Sequence, residues 1–202
     1  MYTFFCKLNR LFALLLLFLL SPILIVISIL IFFYIDKKIL YVQQRVGLNN
    51  KVFNCYKFST MFNNDQFKGD LSSNKEVFRI NKLGNFLRRY FLDELLQIYN
   101  IVNGDMNFIG PRPHSTYDHK LFKQQIKAYS KRHQVKPGIT GLAQANGYNG
   151  PITNYHQLFK RTSHDLLYNK KKNPILDLQI ILNTIFVFFV KKKILNLKCK
   201  IQ

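Results

Sequence analysis

LFALLLLFLLSPILIVISILIFFYI, Leu11 to Ile35, runs for 25 positions without a charged residue, which is long enough for a helix to cross a bilayer. A secretory signal is the weaker account, because the run outlasts an h-region and no small-residue cleavage site follows it. Ser21-Pro22 interrupts the run near its middle and leaves arms of 10 and 13 residues, each reaching about half the hydrocarbon thickness. Proline removes a backbone donor and can kink a helix sharply, while a serine can re-satisfy the freed carbonyls. Lys7 and Arg10 precede the run and Lys37 and Lys38 follow it, so positive charge marks neither end as the inside one. Two topologies stay open on this reading: a single span, and a re-entrant helix that dips in and returns to the same face.

The chain around this segment has 202 residues, about one domain and enough to bury a core. Thirty Lys and Arg against 10 Asp and Glu give a formal charge of +20. Such a balance calls for an anionic partner: nucleic acid, an anionic membrane surface or a phosphorylated substrate. Cys6, Cys55 and Cys199 are odd in number and form no CxxC, which suggests neither a disulfide framework nor a zinc site and fits a reducing, cytoplasmic setting. No HExxH, GxxxxGK[ST] or GxGxxG occurs, so common metalloprotease and nucleotide-loop readings lapse.

Beyond the apolar run, Val42–Val46 and Val52–Phe58 read as short strands around the turn GLNNK. Asn63 to Lys75 is polar and reads as a mobile surface loop. Leu92, Leu95, Leu96, Tyr99 and Val102 recur at helical spacing and predict one helix over Lys82–Val102, stopped by Asn103-Gly104. A helix of mixed polarity is expected over Tyr117–His133. The glycines of RHQVKPGITGLAQANGYNGP, Arg132 to Pro151, predict a long ordered loop rather than a strand or helix. Its glycines let backbone approach a ligand, with Lys136 and Arg132 available for the ligand's charge. Asn173–Val190 reads as a partly buried helix, with Lys191 to Lys193 as a cationic end near lipid phosphates. Asp177 argues against a second span there.

Asp93 and Glu94 stand together inside the predicted helix, in a chain with few acids. Adjacent ionised carboxylates repel, so they need cations, hydrogen-bond donors or a metal close by. Arg88 and Arg89 precede them, and Arg112 follows between two prolines in Gly110-Pro111-Arg112-Pro113. A stiff loop presenting a guanidinium suits bidentate phosphate contact, and a carboxylate can attack phosphorus or bind metal. On a helix the two acids project about 100° apart, so that one faces a pocket while the other braces it or reaches a metal. Taken alone, Asp93 fits equally an exposed ion pair with Arg89 one turn earlier, and the proline loop fits a surface turn. Asp105 reads as a metal ligand or a turn residue.

In order along the chain, the Ser21-Pro22 break, QQRVGLNNKVFNCYKFSTM (Gln43–Met61), FLRRYFLDELLQIYNIVNGDMNFIGPRP (Phe86–Pro113), KPGITGLAQANG (Lys136–Gly147) and HDLLYNKKKNPILDLQIILNT (His164–Thr184) resemble the bacterial sugar transferases. This family is also known as the monotopic phosphoglycosyl transferases, and the likeness is to its small form. The resemblance implies a mostly helical α+β fold: one catalytic domain over residues 1–202, with a Pro-broken re-entrant membrane helix at 11–35, a short β-hairpin, and a cytoplasmic catalytic part at 41–190. It implies transfer of a sugar-1-phosphate from a UDP-sugar to undecaprenyl phosphate with release of UMP, at the cytoplasmic face of a bacterial inner membrane. By the same likeness Asp93 is the nucleophile that forms a covalent phosphosugar intermediate. Glu94 helps hold Mg²⁺ or orients the reacting groups, and both acids are implied metal ligands. Lys57, Arg88, Arg112, Lys136 and Gly138 are implied phosphate- or substrate-binding residues. Membrane lipids are implied partners and nucleic acid is not; nothing is implied about oligomeric state.

Four positions depart from the family pattern. Ser59 and Tyr148 stand where arginine is usual, Phe91 replaces a serine and Leu96 a proline. The competing account from another class is a non-catalytic, membrane-anchored basic protein that binds nucleic acid or anionic lipid. That account spreads salt-sensitive binding over many Lys and Arg, whereas an enzyme concentrates sensitivity at a few residues.

Overall fold

The computed structural model describes residues 2–62 and 80–198, with side chains described over 7–62 and 80–188. The expected loop Asn63 to Lys75 and the side chains of Lys191 to Lys193 lie outside these ranges. Helix dominates, joined by two small sheets, so the mostly helical α+β expectation holds. Two compact units are present, Met1–Gln43 with Asn54–Gly104 and Gln44–Phe53 with Asp105–Gln202.

In the first unit, helix α1 (Tyr2–Tyr34) continues unbroken through Pro22. Ser21 Oγ donates to Phe18 O at 2.7 Å, a local bond of the kind that satisfies carbonyls around a mid-helix proline. Over Lys7–Tyr34 the helix is long and apolar enough to cross a membrane by length and composition. Its exposed surface is apolar, with Leu11, Phe18 and Phe33 among the most open side chains. The opposite side carries Ile27 and Ile31, with Ile35 just past the helix end, into a core with Phe58, Leu87, Leu92, Leu95 and Leu96. Arg10 Nε donates at 2.8 Å to Val102 O, close to the C-terminus of helix α3 (Gln97–Asn103), where carbonyls lack partners and a cation is favoured.

Strands β1 (Leu40–Val46) and β2 (Val52–Phe58) pair as a hairpin. Asn49 and Asn50 hold the turn at φ 53° and 60°, a conformation asparagine tolerates better than most residues. Asn100 ties β2 to α3: its Nδ2 donates to Asn54 O at 2.7 Å, and its Oδ1 accepts from Tyr56 N at 3.1 Å. It is fully buried, so the two bonds answer the cost of burying an amide.

The helix expected over Lys82–Val102 is two helices with a break between them. Helix α2 (Lys82–Arg89) is capped by Asn81, whose side chain accepts from Gly84 N. Phe91 then turns left-handed at φ 56°, a 3-10 turn covers Leu92–Glu94, and α3 follows. Leucine periodicity continues across the break because Leu92, Leu95 and Leu96 all face the same core. Tyr99, read as part of that face, is 44% exposed. Gly104 ends α3 at φ 87°, as the Asn-Gly stop predicts. A phenylalanine in the left-handed region carries a strain of about 1–2 kcal/mol. Phe91→Gly is therefore expected to raise stability by about 0.5–1 kcal/mol, measured as a higher unfolding temperature in detergent.

In the second unit, β3 (Asn107–Ile109) pairs in parallel with β4 (Gly138–Thr140), with Asn107 opposite Gly138 and Ile109 opposite Thr140. The segment expected to be a plain loop over Arg132–Pro151 thus carries β4 and a helical turn, α5 (Leu142–Ala145). The cause is backbone proximity. A Cβ on Gly110 would lie 2.3 Å from Lys136 O, one on Gly138 2.1 Å from Gly110 N, and one on Gly141 2.2 Å from Gly110 O. The close approach that glycine permits is here strand to strand. Gly138→Ala is expected to cost on the order of 3 kcal/mol by overpacking, read as a lowered unfolding midpoint.

The expected Tyr117–His133 helix also divides. Helix α4 (Thr116–Gln125) ends at Ile126, and a 3-10 helix covers Tyr129–Gln134. Helix α6 (Tyr155–Lys171) starts on Asn154, whose side chain accepts from Gln157 N. Helix α7 (Pro174–Lys198) buries Ile180 beside Tyr168 and Ala145. Tyr168 donates to Asp177 Oδ1 at 2.8 Å, so Asp177 is engaged by the protein.

Candidate active site

The break at Phe91 is what sets the acidic pair. Had the helix continued, the two acids would project about 100° apart; instead Asp93 and Glu94 sit on a tight turn whose Glu94 N bonds Phe91 O at 3.2 Å. They are 8% and 9% exposed, which removes the account of Asp93 as one half of an exposed surface pair. Lys57 Nζ, projecting from β2, reaches Glu94 Oε1 at 2.6 Å. Arg88, on the last turn of α2, donates through Nε to Thr60 Oγ1 at 2.7 Å. Burial raises the Asp93 carboxyl above its ordinary value; Lys57 pulls it back, Glu94 pushes it further up, and Arg88 pulls it down. The outcome is a desolvated carboxylate that binds protons more readily than a free aspartate and is flanked by two cations. A carboxylate in this setting is a stronger nucleophile than one in water, and the cations can hold incoming phosphate oxygens.

Lys57, Arg88, Asp93 and Glu94 thus converge within the first unit. Arg112, Lys136 and Gly138 belong to the second. There the Gly-Pro-Arg-Pro loop is stiffened by more than its prolines. Arg45 Nη1 donates to Pro113 O, Val46 N to His114 O at 3.0 Å, and Arg132 Nη2 to Arg112 O at 2.7 Å.

Arg132, expected to meet a ligand's charge, is instead committed to the protein. It is 1% exposed and binds Asp165 Oδ2 through Nε at 2.9 Å and Nη2 at 2.7 Å. Burial works against its charge, but Asp165 and Tyr129 together outweigh that and raise its pKa. Tyr129, fully buried, has its hydroxyl 2.6 Å from His114 Nδ1, and burial pushes that phenol up to about 12. Burial also drives His114 well below the usual imidazole range, with Arg132, Arg161, Arg45 and Arg112 adding to it, so His114 is neutral near pH 7. Neither His114 nor Arg161 was picked out from sequence. Helix α6 turns polar residues inward at Arg161, Thr162 and Asp165, which hides its buried face from a hydrophobic pattern. The readable signal was Asn154-x-x-Gln157, a helix-start signature.

The sequence model of the bacterial sugar transferases matches residues 4–191, which run through both units. The chain belongs to the bacterial sugar transferase family. Among curated relatives of this family, the chain is 38% identical over 178 residues to a UDP-glucose:undecaprenyl-phosphate glucose-1-phosphate transferase of Klebsiella pneumoniae, covering 88% of this chain and 38% of the relative. It is 37% identical over 182 residues to the protein of the same description from Escherichia coli K12, covering 89% and 39%. It is 33% identical over 165 residues to a UDP-N-acetylgalactosamine-undecaprenyl-phosphate N-acetylgalactosaminephosphotransferase of Aeromonas hydrophila, covering 82% and 38%. The chain therefore spans about two fifths of the length of these relatives.

Two of the departures from the sugar transferase pattern have a visible structural counterpart. Phe91 occupies the left-handed position before the dyad, and Tyr148 packs its ring against His164 at 5.1 Å between centroids. Ser59 is buried, with its backbone N on Ile39 O at 2.8 Å; nothing in its surroundings explains the loss of an arginine.

Proposed function

We propose that this sugar transferase moves a sugar-1-phosphate from a UDP-sugar to undecaprenyl phosphate through a covalent intermediate on Asp93, at the cytoplasmic face of a bacterial inner membrane. The observation that carries this reading is the buried Asp93 between the charges of Lys57 and Arg88, on the segment that carries the family likeness. A carboxylate oxygen of Asp93 attacks the sugar-bearing phosphorus, the bond from that phosphorus to the UMP oxygen breaks, and UMP departs with the electron pair. An oxygen of the lipid phosphate then attacks the same phosphorus and returns Asp93 as a carboxylate. Lys57 holds Glu94 in place, and Arg88 offers its remaining donors to phosphate oxygens. Arg112, Lys136 and the backbone at Gly138 are assigned to the nucleotide or phosphates on the family likeness. Helix α1, continuous through Pro22, is assigned to the membrane on the family likeness as a re-entrant element that returns to the face it came from.

The donor set around the dyad fits Mg²⁺. Two buried carboxylates with one oxygen already held by Lys57 leave few protein ligands, and no group of three or more His, Cys, Asp or Glu able to hold a metal occurs among the described residues. Mg²⁺ is commonly bound by one or two carboxylates plus substrate phosphates, with Glu94 and Asp93 as the residues to supply them here. When bound, the ion would neutralise diphosphate charge and favour departure of UMP.

The relatives act on different sugars by their descriptions, so the test uses a panel. Purified protein with Mg²⁺, undecaprenyl phosphate and UDP-glucose, UDP-N-acetylgalactosamine or other UDP-sugars is expected to release UMP with at least one of them. No UMP from any sugar, with folded protein, would sink the proposal. A membrane-anchored binder of nucleic acid or anionic lipid would give that result. Lys57→Met provides a finer check. Loss of the lysine removes a charge that lowers the Asp93 pKa, so the acid limb of the pH–rate profile is expected to move to higher pH, with a lower plateau. An unchanged acid limb would remove Lys57 from the site.

A further inference from the structure

Phe91 holds a strained conformation without a matching burial. Its φ of 56° is left-handed, which bulky residues rarely adopt, and its side chain is 47% exposed, so packing offsets only part of the strain. Strain of this kind clusters at functional sites, and Asp93 lies two residues on. Phe86, on α2, is 50% exposed and sets its ring 4.7 Å from that of Tyr90 between centroids. Leu83 and Leu87 turn the other way, into the core that Ile27 and Ile31 of α1 share. Lys82, Phe86 and Arg89 recur at helical spacing on the outer face of α2, and all three are exposed. One exposed apolar side chain is ordinary, but aromatic rings framed by cations are the composition of a surface that rests at the headgroup level of a bilayer. The place of α2 in the fold agrees. Its cap, Asn81, donates through Nδ2 to Tyr34 O at 2.6 Å, so α2 starts at the last turn of the apolar helix α1, where Phe33 and Tyr34 are 74% and 66% exposed.

We propose that Phe86, Tyr90 and Phe91 form a second membrane contact beside the dyad, in which the rings enter the acyl boundary of an anionic bilayer while Lys82 and Arg89 meet lipid phosphates. The formal charge of +20 suits an anionic surface over a neutral one. The contact fixes the height of the turn that follows it, so Asp93 is presented at the level of the lipid phosphates instead of in bulk water. This contact rests on α1 lying in a membrane and not on the chemistry at Asp93.

The chain has no tryptophan, so Phe86→Trp and Phe91→Trp each place a single fluorophore in the patch. Phe18→Trp places one on the outer side of α1, where Phe18 is 75% exposed. Each full-length variant is put into nanodiscs of phosphatidylcholine and phosphatidylglycerol, without polyprenyl phosphate, made with plain or with brominated acyl chains. A ring about 5–10 Å into the boundary lies close to the bromines, so both patch variants are expected to lose about half of their emission or more to brominated lipid and little to acrylamide in the water. Adding Lys82→Glu/Arg89→Glu to Phe91→Trp should weaken the bromine quenching, most at low salt. The proposal is overturned if both patch variants are quenched by acrylamide and not by bromine, or by neither, which would mean that protein covers the rings. Unchanged quenching after the charge reversals also overturns it. So does bromine quenching that appears only once undecaprenyl phosphate is added, because the patch would then seat the isoprenoid chain. Phe18→Trp separates the causes of failure: bromine quenching there and not at the patch confines the failure to this contact, and its absence at all three positions removes α1 from the membrane as well. No arm requires turnover, so the result stands apart from the UMP assay.

Discussion

Asp93→Asn is expected to lower UMP release by on the order of 10³-fold or more, the scale of loss when a covalent nucleophile is removed. The same variant should take up no label from a UDP-sugar radioactive in its β-phosphate, whereas the wild type retains label on protein when the lipid phosphate is omitted. Label retained by Asp93→Asn would place the nucleophile elsewhere. Loss of fold cannot imitate the result, because the stability effect runs the other way. A carboxyl whose pKa is raised by folding binds its proton more tightly in the folded state, so the fold is favoured below the unfolded value and loses that advantage as pH rises from there through the folded value. Asparagine carries no charge to desolvate. Asp93→Asn should therefore unfold at an equal or higher temperature near pH 7 while being inactive.

Asp165→Asn is expected to be a highly destabilising replacement, at about 3–5 kcal/mol. The mechanism is the charge left behind: Arg132, 1% exposed, would keep its guanidinium in a buried site with Arg112 O as an acceptor and no counter-charge. Denaturant titration in detergent should show the midpoint fall sharply. The double variant Arg132→Met/Asp165→Leu should recover much of the loss, since replacing a whole buried pair by apolar groups is often close to neutral. If the double variant is no better than the single, the cost lies in packing rather than in the orphaned charge.

Much of this molecule is visible in its sequence. The apolar run from Leu11 forms a helix, the two strands flank GLNNK, Gly104 ends its helix, and Asn173–Val190 is helical. Patterns set by solvent exposure or by local turn chemistry are written in neighbouring residues and can be read there. The break at Phe91 was not legible because leucines on both sides of it serve one core, so the periodicity survives a change of backbone direction. Helix α6 was missed because three of the side chains it buries, beside Leu158 and Tyr168, are an arginine, a threonine and an aspartate. Arg132 was misassigned for a related reason. Its partner Asp165 lies 33 positions away, and no local pattern reports which of several arginines the protein itself neutralises. For the candidate site, residue identities were legible at Lys57, Arg88, Asp93 and Glu94, while the burial that gives Asp93 its chemistry was not.

The contact among Gly110, Gly138 and Gly141 has a consequence for how this stretch can change. Backbone atoms already fill the space a methyl group would need at all three, so there is no graded series of substitutions and no intermediate size to pass through. A position with such a contact behaves as all or nothing. Surface loops around it can drift and be re-tuned for a new substrate, but the KPGITG segment offers no starting point for that. It serves better as a fixed landmark for locating the equivalent residues in other chains than as a place to redesign specificity.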